Sequence, residues 1–269
     1  MEKRLIGLGL GAGLLAGAAS FAYARLQAAP LIAAAIDYEG VRSHAEEALG
    51  GGHSHEHEVF SRSVQENLGA GVGTVAFAVM TGALFAVALC IALATLRRHR
   101  IPADPRAVAA ALAALAFVAV SVIPWIAYPA TLPGVGQPDT AGARTTAYLA
   151  LMLSSVALAG LAAWGAVRAT ARVGGPTAAV LGAGAYLAAI TLVINLLPAY
   201  RETPEPLAAA DGALAFPGFP ADLLADFRTV TIICQGVLWL VLAATFTVLT
   251  PRVLGGRTST RTEALSAHR

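Results

Sequence analysis

Lysine is all but missing from this chain: among 269 residues, Lys3 is the only one. A nucleotide-binding P-loop needs a lysine after its glycines, and a Schiff-base enzyme needs one in a pocket, so both chemistries are excluded. Cysteine is nearly as scarce. Cys90 and Cys234 lie inside apolar runs, far from any C-x-x-C spacing, which removes a disulfide framework or zinc knuckle and leaves two buried free thiols. Charge of either sign is short too: Asp, Glu, Lys and Arg make up 13% of residues, against roughly 25% in a soluble domain. A net charge of +2 gives no electrostatic footprint for nucleic acid. Neither H-E-x-x-H nor G-x-S-x-G occurs, so no hydrolase motif is present and the reading is not that of an enzyme.

What fills the chain instead is apolar. Hydrophobic residues reach 57%, and mean hydropathy is +0.68. A helix needs about 20 apolar residues to cross roughly 30 Å of hydrocarbon. Six stretches meet that length or come close: 5–24, 68–96, 108–129, 147–167, 177–197 and 230–249. None contains Asp, Glu, Lys, Arg or His, as expected of helices that face lipid and one another. The expected fold is therefore all-α, a polytopic membrane bundle of about six transmembrane helices. Residues 1–250 form one membrane domain with outer loops at 25–67, 130–146 and 198–229, and 251–269 form a cytoplasmic tail. The first span carries Gly9, Gly13 and Gly17 at four-residue spacing, with Gly7 and Gly11 beside them, a pattern that lets helices approach closely. Lys3, Arg4 and the Ala22-Tyr23-Ala24 triplet also resemble a signal peptide with its cleavage site, but the apolar run is longer than a signal core and favours a retained span.

Orientation follows from arginine. The segments 1–4, 97–107, 168–176 and 250–269 hold 12 of the 18 Lys and Arg, although they are less than half as long as the segments on the other side. This asymmetry predicts a multi-pass protein of the plasma or inner membrane with both termini cytoplasmic. Of the 16 acidic residues, 13 fall on the outer side, which makes that side attractive to cations.

The first outer loop carries His44 and then Gly50-Gly51-Gly52-His53-Ser54-His55-Glu56-His57-Glu58. Imidazoles at alternate positions share one side of an extended chain, and the glycines let the segment wrap a cation. Imidazole suits first-row transition metals, with Glu56 or Glu58 adding oxygen. Ordering such a loop costs roughly 1 to 2 kcal/mol per residue, so this is a capture site of modest affinity and not a closed cage. Ligand type alone does not choose the metal. Neutral donors stand near the outer ends of the spans: Gln65 and Asn67 before the second, Met152 in the fourth, Asn195 in the fifth, Cys234 and Gln235 in the sixth. Pro124 and Pro129 interrupt the third, freeing carbonyls. These groups are candidates for an ion path, or for hydrogen bonds between helices. No charge lies at mid-membrane to relay protons.

Three blocks resemble the CbtA family of predicted cobalt transporter subunits. The first is Val59-Phe60-Ser61-Arg62-Ser63-Val64-Gln65-Glu66-Asn67-Leu68-Gly69 after the histidines. The second runs from Tyr128-Pro129 through Pro138-Asp139-Thr140 to Arg144 and Tyr148, and the third from Phe219-Pro220-Ala221-Asp222 through Phe227-Arg228 to Trp239. With the glycine-rich first helix they cover nearly the whole chain in the family's order. The histidine tract is short for the family, and Leu132 stands where proline is expected. The resemblance implies a membrane subunit for uptake of cobalt, a divalent cation carried as cargo with no tightly bound cofactor. It also implies a small single-span CbtB-type partner alongside the surrounding lipid. The alternative is a protein that binds or senses metal outside and moves none. A haem-holding oxidoreductase is disfavoured, because all six histidines lie outside the spans.

Overall fold

The computed structural model describes residues 2–50, 69–200 and 202–255. Six helices within it are long and apolar enough to cross a bilayer, as the hydropathy pattern predicts. They are α1 (Glu2–Ala48), α2 (Ala70–Arg98), a composite third span, α5 (Ala141–Val173), α6 (Gly175–Leu196) and α7 (Ala221–Gly255). The third span consists of α3 (Pro105–Phe117), a π-helical turn (Val118–Val122) and α4 (Ile123–Ala127). A two-stranded antiparallel hairpin, β1 (Leu207–Ala208) with β2 (Leu214–Phe216), lies between α6 and α7. We call the side of the bundle bearing it the hairpin face and the opposite side, with Arg97, Arg98, Arg100 and Arg106, the arginine face.

Local chemistry fixes several helix ends. Asp104 caps α3, its carboxylate accepting the Arg106 N–H at 3.0 Å, and Pro105 fills the first position, where no N–H is needed. Arg97 and Arg98 close the last turn of α2, where cations suit the helix dipole. A single residue, Gly174 at φ 82°, turns α5 back into α6, a conformation that L side chains rarely adopt.

The helices form two groups. In the larger, α1 packs along α2 and α7, and α3 packs on α7. Gly9, Gly13 and Gly17 bring α1 onto α2 so closely that a Cβ on Gly9 would collide with the Gly82 carbonyl, and one on Gly13 with that of Ala78. Gly7 and Gly11 have nothing within 4 Å of an added Cβ, so the close approach uses one stripe of the glycines and not the other. Ser20 joins α1 to α7: its hydroxyl donates to the Cys234 carbonyl at 3.1 Å, and the Cys234 thiol returns a bond to the Ser20 carbonyl at 3.4 Å. Phe85, Leu89, Trp239, Leu242 and Phe246 fill the centre. The smaller group is the α5–α6 pair, which meets the rest mainly at the π turn and α4, through Ala119, Ile123, Leu151, Tyr186 and Ile190.

α1 does not end with its span. The stretch 25–48, expected as the first part of an outer loop, is helical throughout. Arg25 and Asp37 end the hydropathy signal, yet this segment is rich in alanine, the strongest helix former. Pro30 removes one backbone bond, and tertiary packing compensates. Ala28, Leu31, Ile32 and Ala35 pack on Leu132, Val135, Phe219, Leu224 and Phe227. Tyr38 donates to the Pro217 carbonyl at 3.0 Å and packs on Phe216 and Phe219, while Arg42 donates to the Glu205 carbonyl at 2.8 Å. The prolines of 198–220 thus bound a short hairpin, and the α1 extension holds it in place.

Candidate functional site

A cavity of about 1090 Å³ opens on the hairpin face. Its walls come from α4 and the following Tyr128–Gly136 segment, the first turns of α5, the loop at Tyr200–Thr203, and α7 from Arg228 to Gln235. Seven helical residues separate Arg228 from Gln235, so the cavity runs about 10 Å along α7.

Its floor is polar. The Trp239 indole N–H donates to Ser121 Oγ at 3.0 Å, and the Ser121 hydroxyl donates to Gln235 Oε1 at 3.4 Å. Ser121 and Trp239 are buried. Ser121 belongs to the π turn, whose wider spacing leaves one carbonyl open. In π register the Ala119 carbonyl would face the N–H of residue 124, and Pro124 has none. Ser155 of α5 supplies the missing donor, its hydroxyl bonding Ala119 O at 2.7 Å. That uses the only proton of Ser155, so Tyr186 of α6 donates to Ser155 Oγ, at 2.8 Å. One proline thereby links three helices and sets the wall of the cavity.

Its mouth is held by Glu202. Oε2 accepts the Gln137 N–H at 2.9 Å and the Thr140 hydroxyl at 2.7 Å, and Arg144 Nε stands 3.6 Å away. The Gly136 N–H bonds the Glu202 carbonyl at 3.0 Å. The Gln137 N–H, then the Thr140 hydroxyl, then the Arg144 charge hold the Glu202 carboxyl below its ordinary value of 4.5, outweighing the opposing effect of burial. Gly136, at φ 98°, lies where a Cβ would meet the Arg144 guanidinium. Tyr128 donates to the Pro198 carbonyl at 2.7 Å, tying the third span to the same loop.

The residues singled out from the sequence are distributed unevenly. Gln235 and Met152 both line the cavity. Asn195 does not; it is exposed on α6, and its amide donates to the Thr191 carbonyl of its own helix at 2.8 Å. Cys234 faces Ser20 on α1. His44 is exposed near the end of α1, Nδ1 lying 3.7 Å from Glu47 Oε2. His53, His55, His57, Glu56, Glu58, Gln65 and Asn67 lie outside the described residues. Among the described residues, no group of three or more His, Cys, Asp or Glu gathers in a way that could hold a metal ion. Sequence reasoning gave no role to Ser121, Ser155 or Tyr186, nor to Arg144 and Arg228. Serines within apolar spans were the available signal for the floor.

Six apolar spans and a solute-sized cavity opening on one face make this a multi-pass helical membrane protein. The chain belongs to the CbtA family: the family model described as probable cobalt transporter subunit (CbtA) matches residues 2–251. No curated protein and no solved structure matches the chain.

Proposed function

We propose that this chain is the membrane-embedded subunit of a cobalt uptake system, with His53, His55 and His57, backed by Glu56 and Glu58, capturing the ion on the outer side. The family match over residues 2–251 carries this reading. The arginine asymmetry assigns the hairpin face to the outside and both termini to the cytoplasm. The tract begins five residues past Ala48, the last residue of α1, and the α1 extension emerges on the same side as the cavity mouth. Gln235 and Met152 on the cavity wall stand along the inward path. The work is transport, not bond-making, and the energy comes from the membrane potential or from a small single-span CbtB-type partner. Accumulation of labelled cobalt in cells carrying the chain, with and without that partner, tests the reading. A protein that only binds or senses metal leaves accumulation unchanged.

Metal binds neutral imidazole, which in its free form titrates near about pH 6.5, so protons and metal compete for the tract. Capture weakens as external pH falls from about 7 to about 5. Changing all three histidines to alanine raises the cobalt concentration for half-maximal uptake and leaves the maximal rate nearly intact. Loss of all uptake at saturating cobalt would place the tract in the path itself. Unchanged uptake at every concentration and pH would remove its role.

A further inference from the structure

Among the described residues, two guanidinium groups, Arg144 and Arg228, line the cavity, and Glu202 is the one carboxylate. Glu202 is already engaged, its Oε2 holding Gln137, Thr140 and Arg144. Arg144 makes one hydrogen bond, through Nη2 to the Gln137 carbonyl at 3.2 Å, while its buried Nε faces Glu202 at 3.6 Å, so Nη1 has no acceptor among the described residues. Arg228 makes a single long bond, from Nε to the Ala130 carbonyl at 3.5 Å, so among the described residues its terminal nitrogens meet no acceptor. The lining is therefore net positive and holds unused donors, the opposite of what a bare dication needs. Among the described residues, no histidine or cysteine lines it.

Size points the same way. A divalent ion with roughly six waters, at about 30 Å³ of liquid each, fills only a small part of about 1090 Å³. Trp125, Tyr128, Tyr148 and Tyr200 supply aromatic wall of the kind that surrounds organic ligands. Planar guanidinium groups bind carboxylates with two parallel bonds.

We propose that the cavity binds the metal as an anionic polycarboxylate chelate, with carboxylate oxygens on Arg228 and Arg144, and not as the bare ion. This rests on the transport reading only for the choice of metal; the oxyanion site stands on the geometry. In such a complex the chelator satisfies the cation and presents outward the negative charge that the lining lacks.

The test uses the full chain carrying alanine at positions 53, 55 and 57, so that the tract contributes nothing, in nanodiscs of zwitterionic phosphatidylcholine. Calorimetric titration with cobalt–citrate, whose complex is net negative, is expected to show saturable binding, and cobalt chloride alone none. Arg228→Gln weakens the cobalt–citrate affinity at least about tenfold, the loss expected when a charge-assisted pair goes, and Arg228→Lys restores part of it. Thr203→Glu, at an exposed position on the same lining, puts a carboxylate beside the guanidiniums and weakens binding without touching either arginine, which keeps the test open should Arg228→Gln misfold. Binding of cobalt chloride but not cobalt–citrate overturns the proposal. Absence of citrate binding, together with retention of phosphatidylglycerol that Arg228→Gln abolishes, also overturns it, because the oxyanion would then be a lipid headgroup. Cells settle the remaining question separately: cobalt uptake by a chain that binds no citrate sinks this inference and leaves the transport reading, whereas citrate binding without uptake under any condition does the reverse.

Discussion

Single atoms decide the shape of the cavity. Pro124 withholds one N–H, and Ser155 and Tyr186 make good the loss at the buried Ala119 carbonyl. At the mouth, Glu202 performs the corresponding task with a charge, and its titration has a definite sign. Its carboxyl is lowered in the fold, so the stabilisation it gives is fully present above the ordinary value of 4.5 and is lost as pH falls through the lowered value. Backbone hydrogen exchange across 136–140, followed as pH is lowered, is expected to keep its protection at pH 4.5 and lose it below. In Glu202→Gln the protection is already weak at neutral pH and shows no such step. A loss of protection well above 4.5 in the unaltered protein would show that some other group holds the mouth.

At the scale of elements, the glycine stripe of α1 is the most exposed to test. Gly13→Leu drives a side chain into the Ala78 carbonyl and the Val79 backbone, which cannot retreat without parting α1 from α2. Overpacking typically costs about 1 to 3 kcal/mol, and a backbone obstacle places this variant at or above that range. Gly11→Leu, with nothing within 4 Å of its Cβ, is the control and leaves stability nearly unchanged. Thermal unfolding of the two variants in detergent separates them, and equal midpoints would refute the packing account. The six spans were legible because hydrocarbon demands long uncharged runs. The close approach of α1 was legible from glycine spacing, although only geometry could choose between 9/13/17 and 7/11. Residues 25–48 were not legible as helix, because Arg25 and Asp37 interrupt hydropathy without interrupting helicity. The cavity was legible only in fragments: Gln235, Met152 and Pro124 stood out as polar or helix-breaking groups in apolar runs. Arg144, Glu202 and Arg228 come from three distant segments, and nothing local in the sequence says that they meet.

For the molecule as a whole, orientation decides which face meets the outside. Cysteines introduced as Ser54→Cys and Ser259→Cys are expected to respond oppositely to a membrane-impermeant thiol reagent in intact cells, the first labelled and the second not. Labelling of Ser259→Cys alone would invert the molecule, and with it the roles of cavity mouth and arginine face. The packing of α1 between α2 and α7 also bears on how the chain is made. Its first helix finds one partner at once, across the glycine stripe, but the other, α7, begins at Ala221 and is made after every other described span. At about 5–20 residues per second, the interval between completing α1 and completing α7 is on the order of 10–40 s. During that time Leu31, Ile32 and Tyr38 have no Phe219 or Phe227 to cover them, and Ser20 has no Cys234. Residues 25–48 of α1 therefore reach their final packing only after α7 has been made.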